Sequence, residues 1–353
     1  MIPIFDGHND TLTKLYSLEN GLDLFFKGSQ KCDIDLPGSQ KGNLLYGNFS
    51  IFVPPKMTSK ERDPMYGMEF THKGYRKRLA NAIDPNYARK YTNSLIKFLN
   101  LLKVRAKGTI YTIRKYQDLI KGLKNQNLGV ILHFEGAEVI KKDISNLEWY
   151  YQKNLRSLGL VWSRPNNFGT GVPFEFPNTP NIGPGLTDEG KNLIKECNSL
   201  GIMIDLAHIN EKGFWDAENK SEHPLVVSHT GVHSICPSTR NLTDDQIDAI
   251  GDTNGIIGVM FEPSNIRPDG KLNKNTSIKT IVDHIDYIIQ RIGIDHIGLG
   301  SDFDGAIMID SLNHVSKLPI LIKFLKKEGL TKNSIEKIAF RNWIRVLKET
   351  WYH

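Results

Sequence analysis

Short apolar runs recur along the chain, and each is followed by a stretch with the periodicity of a helix. Runs such as VILHF, LVVSH and IIGVMF are apolar at nearly every position, which is typical of parallel strands buried on both faces. Eight runs are predicted as strands: residues 2–5, 44–53, 128–134, 156–162, 201–206, 225–228, 256–261 and 296–300. Eight alternations of strand and helix favour a closed (β/α)8 barrel of the TIM type over an open doubly wound sheet.

The segments between these runs carry signals for helix starts and stops. Thr187 followed by two acidic residues predicts a helix that continues to Leu200 and ends at Gly201. Thr243, with Gln three residues later, resembles a capping box. Residues 279–292 have apolar positions at helical spacing and stop at a glycine. These helices supply the crossovers that neighbouring parallel strands need.

Two segments do not fit the alternation, namely residues 54–75 and 164–184. The first is polar and interrupted by prolines, and the second is rich in Asn, Gly and Pro. Both follow predicted strands, so they are expected to be βα-loop insertions at the carboxyl-terminal face, where a barrel enzyme carries its active site. Residues 1–353 are predicted to form one catalytic domain.

Composition and charge remove several classes of function. Hydrophobic residues make up 39% and charged residues 24%, as in ordinary globular proteins. Lys and Arg (45) exceed Asp and Glu (39), but no block of like charge appears, so nucleic acid is not an expected partner. The three cysteines lie far apart without a CxxC pair, and no apolar run is long enough to span a membrane. A cytoplasmic protein without membrane association is therefore expected.

Side chains that bind metals lie at the ends of four predicted strands, where a barrel places its chemistry. His8 and Asp10 would point to the same side of an extended first strand. Three imidazoles and two carboxylates are enough for two Zn²⁺ ions if one carboxylate bridges them, and Glu135 is the best bridge. Such a pair lowers the pKa of a shared water and polarises a carbonyl, as amide hydrolysis requires. The predicted metal ligands are His8, Asp10, Glu135, His208 and His229.

Two further histidines are interpreted as structural. His133 shares the strand parity of Glu135 and could face the barrel interior, where a packed, hydrogen-bonded role is favoured. His233 follows the sixth strand and is expected at the surface rather than at the site. No Gly-x-Gly-x-x-Gly follows a strand, so a nicotinamide or flavin cofactor is not expected.

Taken together, these motifs resemble the membrane dipeptidase (renal dipeptidase) family of the amidohydrolase superfamily. The resemblance spans nearly the whole chain. It depends on DGHND at the start, FEG at 134–136, IDLAH at 204–208, SHTGVHSICPSTRN at 228–241, GSDFDG at 300–305 and a closing NWIRVLKE. It implies a zinc-dependent dipeptidase that hydrolyses the peptide bond of dipeptides through a metal-bridging hydroxide. Family members are often dimers, so a homodimer is expected by analogy alone.

The resemblance also implies roles for single residues. It assigns His8 and Asp10 to one zinc ion, His208 and His229 to the other, and Glu135 to both. Arg240 would grip the substrate's terminal carboxylate, a task that suits a bidentate guanidinium. Asp302 would contact the amino group and handle the proton for the leaving nitrogen, so Glu135 and Asp302 are the predicted catalytic residues. Asp304 is expected to be structural.

One position departs from the family pattern. Mammalian-type members carry a histidine just after strand four that is thought to polarise the scissile carbonyl, and Trp162 stands there in this chain. An indole has a donor N–H but cannot shuttle a proton. Asn166, Asn167 or Arg164 could supply a replacement donor, and Trp162 and Asn166 are therefore predicted to contact the substrate.

Two other functions stay open at this stage. Another amidohydrolase reaction, on an N-acyl amino acid, a lactam or a lactone, uses the same scaffold because fold and metals do not fix the substrate. A catalytically silent binding protein on the same barrel is the other, although every predicted metal ligand is present. The binding protein would show ligand affinity without metal-dependent turnover.

Overall fold

Parallel pairing runs from strand to strand around a closed ring in the computed structural model, which describes residues 2–56 and 67–351. The strands are β1 (Ile4–Asn9), β2 (Leu44–Phe52), β3 (Met68–Phe70), β4 (Tyr75–Lys77), β5 (Ile110–Thr112), β6 (Leu128–Glu135), β7 (Leu155–Gly159), β8 (Phe174–Phe176), β9 (Met203–Asp205), β10 (Val226–Thr230), β11 (Ile256–Val259) and β12 (Ile297–Leu299). The ring has the order β1-β2-β6-β7-β9-β10-β11-β12 and returns to β1, with β5 added beside the start of β6. The predicted (β/α)8 barrel is confirmed.

Helices connect the barrel strands. They are α1 (Thr11–Ser17), α2 (Gly21–Lys27), α3 (Leu36–Gly42), α4 (Pro85–Ala106), α5 (Tyr116–Asn125), α6 (Leu147–Gln152), α7 (Asp188–Leu200), α8 (Glu211–Glu218), α9 (Asp244–Asp252), α10 (Pro263–Ile266), α11 (Ile278–Ile292), α12 (Leu318–Lys327), α13 (Lys332–Glu336) and α14 (Asn342–Thr350). Short 3-10 turns cover Ile294–His296, Asp310–Leu312 and Val315–Lys317, and a π-helical turn covers Lys337–Arg341.

The predicted helix starts and stops are confirmed in the structure. The side chain of Thr187 accepts a hydrogen bond from the Gly190 N–H at the start of α7, and Gly201 ends that helix in the left-handed conformation. Thr243 and Gln246 form the predicted capping box of α9. None of the helices in the described ranges is long and apolar enough to cross a membrane.

The first strand differs from its predicted bounds. The apolar pattern ends at Phe5, whereas β1 begins at Ile4 and continues through polar residues to Asn9. Every residue of β1 is buried, so the polar ones lie inside the protein. Polarity normally marks a strand end, but here partners inside the barrel satisfy polar groups such as the Asp6 carboxylate, which accepts hydrogen bonds from the Ser301 backbone and hydroxyl.

A second, smaller sheet was not expected. Strands β3, β4 and β8 pair antiparallel, with Met68 opposite Lys77 and Tyr75 opposite Phe176. The predicted insertion at 54–75 supplies β3 and the start of β4, although residues 57–66 lie outside the described ranges. The insertion at 164–184 supplies β8. The two insertions are thus hydrogen-bonded to each other as one sheet.

The indole of Trp343 in α14 closes the amino-terminal end of the barrel. It stacks on Phe5 at 5.3 Å between ring centroids and donates a hydrogen bond from Nε1 to the Leu299 carbonyl at 3.1 Å. Phe5 pairs in register with β2, and that pairing places it on the face from which Glu135 also projects. A Cβ atom on Gly7 or Gly298 would overlap the indole. The glycines of the barrel strands therefore leave the space that the Trp343 indole fills.

Replacing Trp343 with Ala should lower the free energy of unfolding by about 3–5 kcal/mol, because it opens a large cavity beneath the ring. Urea denaturation followed by circular dichroism measures the change. Trp149→Ala is the matched control, since the Trp149 side chain is 48% exposed and its loss should cost about 1 kcal/mol or less. Equal losses in the two variants would contradict the plugging role.

Candidate functional site

Five side chains predicted as metal ligands meet at the carboxyl-terminal end of the barrel. His8 lies in β1 and Asp10 just beyond it, where it begins α1. Glu135 is the last residue of β6, His208 follows β9, and His229 lies within β10. All five are buried. Closure of the ring brings these strand ends together even though they are up to 221 residues apart in sequence, from His8 to His229.

Glu135 stands between the two halves of this cluster. Its Oε2 atom is 3.6 Å from His8 Nε2, and its Oε1 atom is 3.1 Å from His208 Nε2. His8 Nε2 is also 3.5 Å from Asp10 Oδ2. On the other side, the Nε2 atoms of His208 and His229 are 3.1 Å apart. The two carboxylate oxygens thus face one pair of ligands each, which is the geometry of a bridge.

These spacings fit metal ions. With metal–ligand bonds of about 2.0–2.2 Å, the ligand atoms of a tetrahedral zinc site lie roughly 3.3–3.6 Å apart. The observed separations around Glu135, 3.1 to 3.6 Å, fall close to that range. In addition, both ring nitrogens of His8 and the Oδ1 atom of Asp10 are buried without a hydrogen-bond partner. Buried polar atoms normally have partners, and a cation would supply them.

Burial and mutual repulsion act on the charges of the cluster. Burial first, and then the Asp10 carboxylate, raise the pKa of Glu135 above its ordinary value. Burial alone would depress the pKa of His8, but Glu135 and Asp10 outweigh it and hold this pKa well above the ordinary value. Burial lowers the pKa of His208 and of His229 well below the ordinary value, so both imidazoles are neutral and able to bind a metal.

Hydroxyl groups orient two of the imidazoles. Ser163 Oγ lies 2.9 Å from His208 Nδ1, and Ser228 Oγ lies 2.9 Å from His229 Nδ1. In each ring the other nitrogen, Nε2, therefore points toward Glu135 and its neighbours. His208 holds a left-handed backbone with φ of 65°, which is unusual for a non-glycine residue and is typical of functional sites.

Arg240 lies beside the cluster and is 5% exposed. Its Nη2 atom donates to the His229 carbonyl at 3.4 Å, and within the described ranges no carboxylate comes within 4.0 Å of its guanidinium. Burial lowers the pKa of Arg240 from its ordinary value, although nearby Asp302 and Glu135 oppose that effect. A buried arginine without a direct ion pair has room in its hydrogen bonding for an anionic ligand.

Asp302 and Asp304 follow β12 and have different surroundings. Asp302 Oδ1 is 4.0 Å from His8 Nε2, its backbone is left-handed, and burial raises its pKa well above the ordinary value. Asp304 instead accepts hydrogen bonds from the Asp33 and Ile34 N–H groups and from the Thr11 hydroxyl. The contacts of Asp304 agree with the structural role expected from the sequence.

The indole of Trp162 borders the same cluster. Its ring centroid is 5.8 Å from that of His208, 4.8 Å from Phe52 and 5.7 Å from Phe174. Phe52, Trp162 and Phe174 thus form an aromatic wall beside His208. The buried guanidinium of Arg164 is about equally far from Phe52 and Trp162, and its Nε donates a hydrogen bond to Glu138 at 2.6 Å.

Asn166, which is predicted to contact the substrate, lies in the turn after β7. Its side-chain N–H group donates to the Leu160 carbonyl, and its side-chain oxygen accepts from the N–H groups of Phe168 and Gly169. Both ends of the amide thus stabilise the turn after β7, while the hydrogen bond that Asn166 is expected to donate to the substrate stays a prediction. Asn and Gly in a loop signal such turns, and that reading would have found this role.

Two other histidines can now be placed. His133 is fully buried and its Nδ1 atom is 2.8 Å from Ser157 Oγ, as the packed interpretation requires, while its Nε2 atom is 3.5 Å from Asp205 Oδ2. His233 is half-buried and contacts the Asn178 carbonyl at 3.0 Å. The sequence interpretation gave no role to Asp205, Ser228 or Ser163. Ser228 directly precedes His229 and Asp205 lies three residues before His208, but Ser163 has no ligand histidine near it in sequence.

Comparison with known proteins agrees with this geometry. The family model "Membrane dipeptidase (Peptidase family M19)" matches residues 1–352. An uncharacterized protein from the pqqA 5′ region of Klebsiella pneumoniae is 41% identical over 253 residues, covering 72% of this chain and 93% of that protein.

Two solved structures are similar over the whole fold. The crystal structure of the dipeptidase AC, a metallo peptidase, superposes with a TM-score of 0.94 at 36% identity, covering 100% of this chain and 99% of that one. A metallo peptidase from Rhodobacter sphaeroides, liganded with a phosphinate mimic of the dipeptide L-Ala-D-Ala, gives a TM-score of 0.94 at 36% identity and 99% coverage of both chains. With its barrel, its cluster of metal-binding side chains and a family match from end to end, the chain belongs to the membrane dipeptidase family, peptidase family M19, and is a metallo-dipeptidase.

Proposed function

We propose that this dipeptidase uses two zinc ions, one held by His8 and Asp10, the other by His208 and His229, with Glu135 shared between them. The observation that carries the proposal is the division of the Glu135 carboxylate, with one oxygen 3.6 Å from His8 Nε2 and the other 3.1 Å from His208 Nε2. Imidazole and carboxylate are ligands that zinc accepts in hydrolytic sites. When bound, the paired ions lower the pKa of a shared water and polarise the scissile carbonyl.

Arg240 fixes the carboxyl-terminal end of the substrate. Its guanidinium is buried next to His229 and makes no direct ion pair within the described ranges. A planar guanidinium binds a carboxylate through two parallel hydrogen bonds, so it orients the dipeptide as well as holding it. Because Arg240 lies beside the cluster, a substrate carboxylate held there would be only a short peptide length from the reacting bond. This spacing favours dipeptides over longer peptides.

Asp302 is the residue to which we assign the proton transfer. Its carboxylate lies at the edge of the cluster, 4.0 Å from His8 Nε2, and its side chain is 17% exposed. A carboxyl group in this position can accept a proton from the attacking water and deliver it to the leaving nitrogen. That nitrogen needs a proton, because an amide anion is too poor a leaving group at neutral pH.

The aromatic wall bounds the opposite side of the cluster. Trp162 and Phe174 present ring surfaces there, and the Trp162 ring lies tilted against His208. Such surfaces favour a small apolar side chain and exclude water from the reacting bond. The Rhodobacter relative was crystallised with a mimic of L-Ala-D-Ala. We therefore include dipeptides with a carboxyl-terminal D-residue in the proposed substrate class.

Metal removal and restoration tests the proposal. Metal-stripped protein should not hydrolyse L-L or L-D dipeptides, and activity should return as zinc is added until about two equivalents are bound. Tripeptides and N-acetylated dipeptides serve as the control substrates. Turnover that is unaffected by chelation, or equal turnover of tripeptides, would contradict the proposed site. Full activity at one equivalent would contradict the metal pair.

Replacing Glu135 with Gln removes the negative charge of the bridging residue. The bound metal should fall from about two equivalents to one or fewer, and kcat/KM should fall by about 100-fold or more. Metal content measured by mass spectrometry after dialysis, together with dipeptide hydrolysis, checks both outcomes. Glu148→Gln, an exposed position on α6, is the matched control and should behave as the original protein. Two retained metals with full activity would refute the bridge.

Replacing Arg240 with Ala should lower kcat/KM for free dipeptides by about 10- to 150-fold, which corresponds to the roughly 1.5–3 kcal/mol of a charge-assisted hydrogen-bond pair. Dipeptide amides should lose far less, since they present no carboxylate. Arg240→Lys keeps the charge without the fork and should fall in between. An equal loss on the free and the amidated substrates would show that Arg240 does not contact the carboxylate.

A further inference from the structure

A buried chain of hydrogen bonds runs behind His229. The Asp205 carboxylate, at the end of β9, accepts the Ser228 N–H at 2.8 Å and the Ala207 N–H at 3.1 Å on its Oδ1 atom. Its Oδ2 atom accepts the Ser228 hydroxyl at 2.5 Å. The same hydroxyl oxygen lies 2.9 Å from His229 Nδ1. All these residues are buried, so water does not compete for the contacts.

Counting protons along this chain fixes their direction. A carboxylate only accepts hydrogen bonds, and the Ser228 hydroxyl has a single proton. Since that proton is donated to Asp205, the Ser228 oxygen can only accept at its contact with His229. The imidazole must therefore carry its proton on Nδ1, and its Nε2 atom keeps a free lone pair. Nε2 is the atom that faces His208 Nε2 at 3.1 Å and Glu135 beyond it.

We propose that Asp205, acting through Ser228, holds His229 in the Nδ1–H tautomer and so presents Nε2 as a ready metal ligand. Asp205 and Ser228 are thus positioning residues, and this inference uses the proposed metal pair only for its consequence. A carboxylate that bonds a ligand histidine through its other nitrogen is a known way to set tautomer and basicity. Here a serine hydroxyl relays the effect, because the carboxylate itself does not reach the ring.

Only one of the two imidazoles has its tautomer set in this way. His208 Nδ1 also contacts a hydroxyl, that of Ser163 at 2.9 Å, but within the described ranges that hydroxyl has no second partner. Its proton is free to point either toward the ring or away from it. The tautomer of His208 is therefore left to the metal, whereas that of His229 is set by the protein beforehand.

Replacing Asp205 with Asn provides a nearly isosteric test. The two backbone N–H groups at the Oδ1 position need an acceptor, so the Asn oxygen must lie there and the NH₂ group must face Ser228. Ser228 then accepts from the amide and donates its own proton to His229 Nδ1. The imidazole should change to the Nε2–H form, which blocks the metal-binding nitrogen.

Asp6→Asn is the matched control. Asp6 accepts the backbone N–H of Ser301 at 2.7 Å and its hydroxyl at 2.9 Å, as Asp205 does from Ser228, and its Oδ2 atom also accepts from the Asn9 side-chain amide at 3.1 Å. The Ser301 hydroxyl, however, contacts the His8 backbone carbonyl rather than an imidazole nitrogen. The substitution therefore changes the same kind of buried pair and should leave the tautomer of His229 as it is.

The tautomer can be read directly in metal-free protein labelled with ¹⁵N-histidine. Two-bond ¹H–¹⁵N correlation spectra at pH 8 distinguish Nδ1–H from Nε2–H, and His229→Gln identifies the His229 signals by their loss. We expect His229 to be in the Nδ1–H form in the original protein and in the control variant Asp6→Asn. In Asp205→Asn we expect it to be in the Nε2–H form. An Nδ1–H signal retained in Asp205→Asn would overturn the proposal. If that variant does not fold, Ser228→Ala must show the appearance of Nε2–H instead.

Metal affinity gives the second measurement. Competition with a chromophoric chelator should show zinc binding at one of the two sites weakened about 10- to 100-fold in Asp205→Asn, with the other site nearly unchanged. Equal affinity in all variants would overturn the functional consequence. The spectra of metal-free protein do not depend on turnover, so failure of dipeptide hydrolysis and failure of the tautomer control are separate results.

Discussion

The site depends on one electrostatic constraint, which is the burial of carboxylates against a single imidazole. Asp10, Glu135 and Asp302 each lie within 4.0 Å of His8 Nε2, in a largely buried place where water screens their repulsion only weakly. Buried carboxylates without compensation are costly, so each is protonated, paired with a cation or bound to a metal. The arrangement is therefore destabilising for the empty fold and favourable for a metalloenzyme. The same repulsion that destabilises the metal-free protein at this end of the barrel favours the binding of a cation.

The rest of the barrel keeps that constraint in place. Seven register pairs join β2 to β6 and hold Ser50 and Glu135 on the inner face, while Trp343 fills the opposite end. Because the ring is closed, no strand end can move outward to relieve the repulsion without breaking pairing on both sides. A rigid support of this kind fixes catalytic side chains more accurately than loops do.

Sequence patterns predicted the parts of this molecule that repeat. The eight apolar runs became the eight barrel strands, and Thr187 and Thr243 began helices as their local chemistry requires. The ligands were predictable because several metal-binding side chains lie at or near the carboxyl ends of different strands, where a barrel carries its active site. These signals are local, and local signals can be read from one chain.

Features that depend on distant pairing could not be predicted. Strands β3, β4 and β8 are three residues each and have no distinctive pattern, so only their mutual pairing identifies them. Asp205 belongs to an apolar run where an acidic residue looks like a strand end, and its partner Ser228 comes 23 residues later. The sequence likewise shows the amide of Asn166 but not the Leu160 carbonyl to which that amide donates a hydrogen bond.

The small sheet has a consequence for how the mouth of the barrel behaves. It joins a loop that follows β2 to a loop that follows β7, and the Glu175 backbone in β8 is hydrogen-bonded in turn to Thr239, the neighbour of Arg240. Segments from three separate crossovers are thereby tied into one mechanical unit. A change in the length of one segment would disturb its pairing with the others, so we expect substrate range to change more readily through side chains on the unit than through loop length.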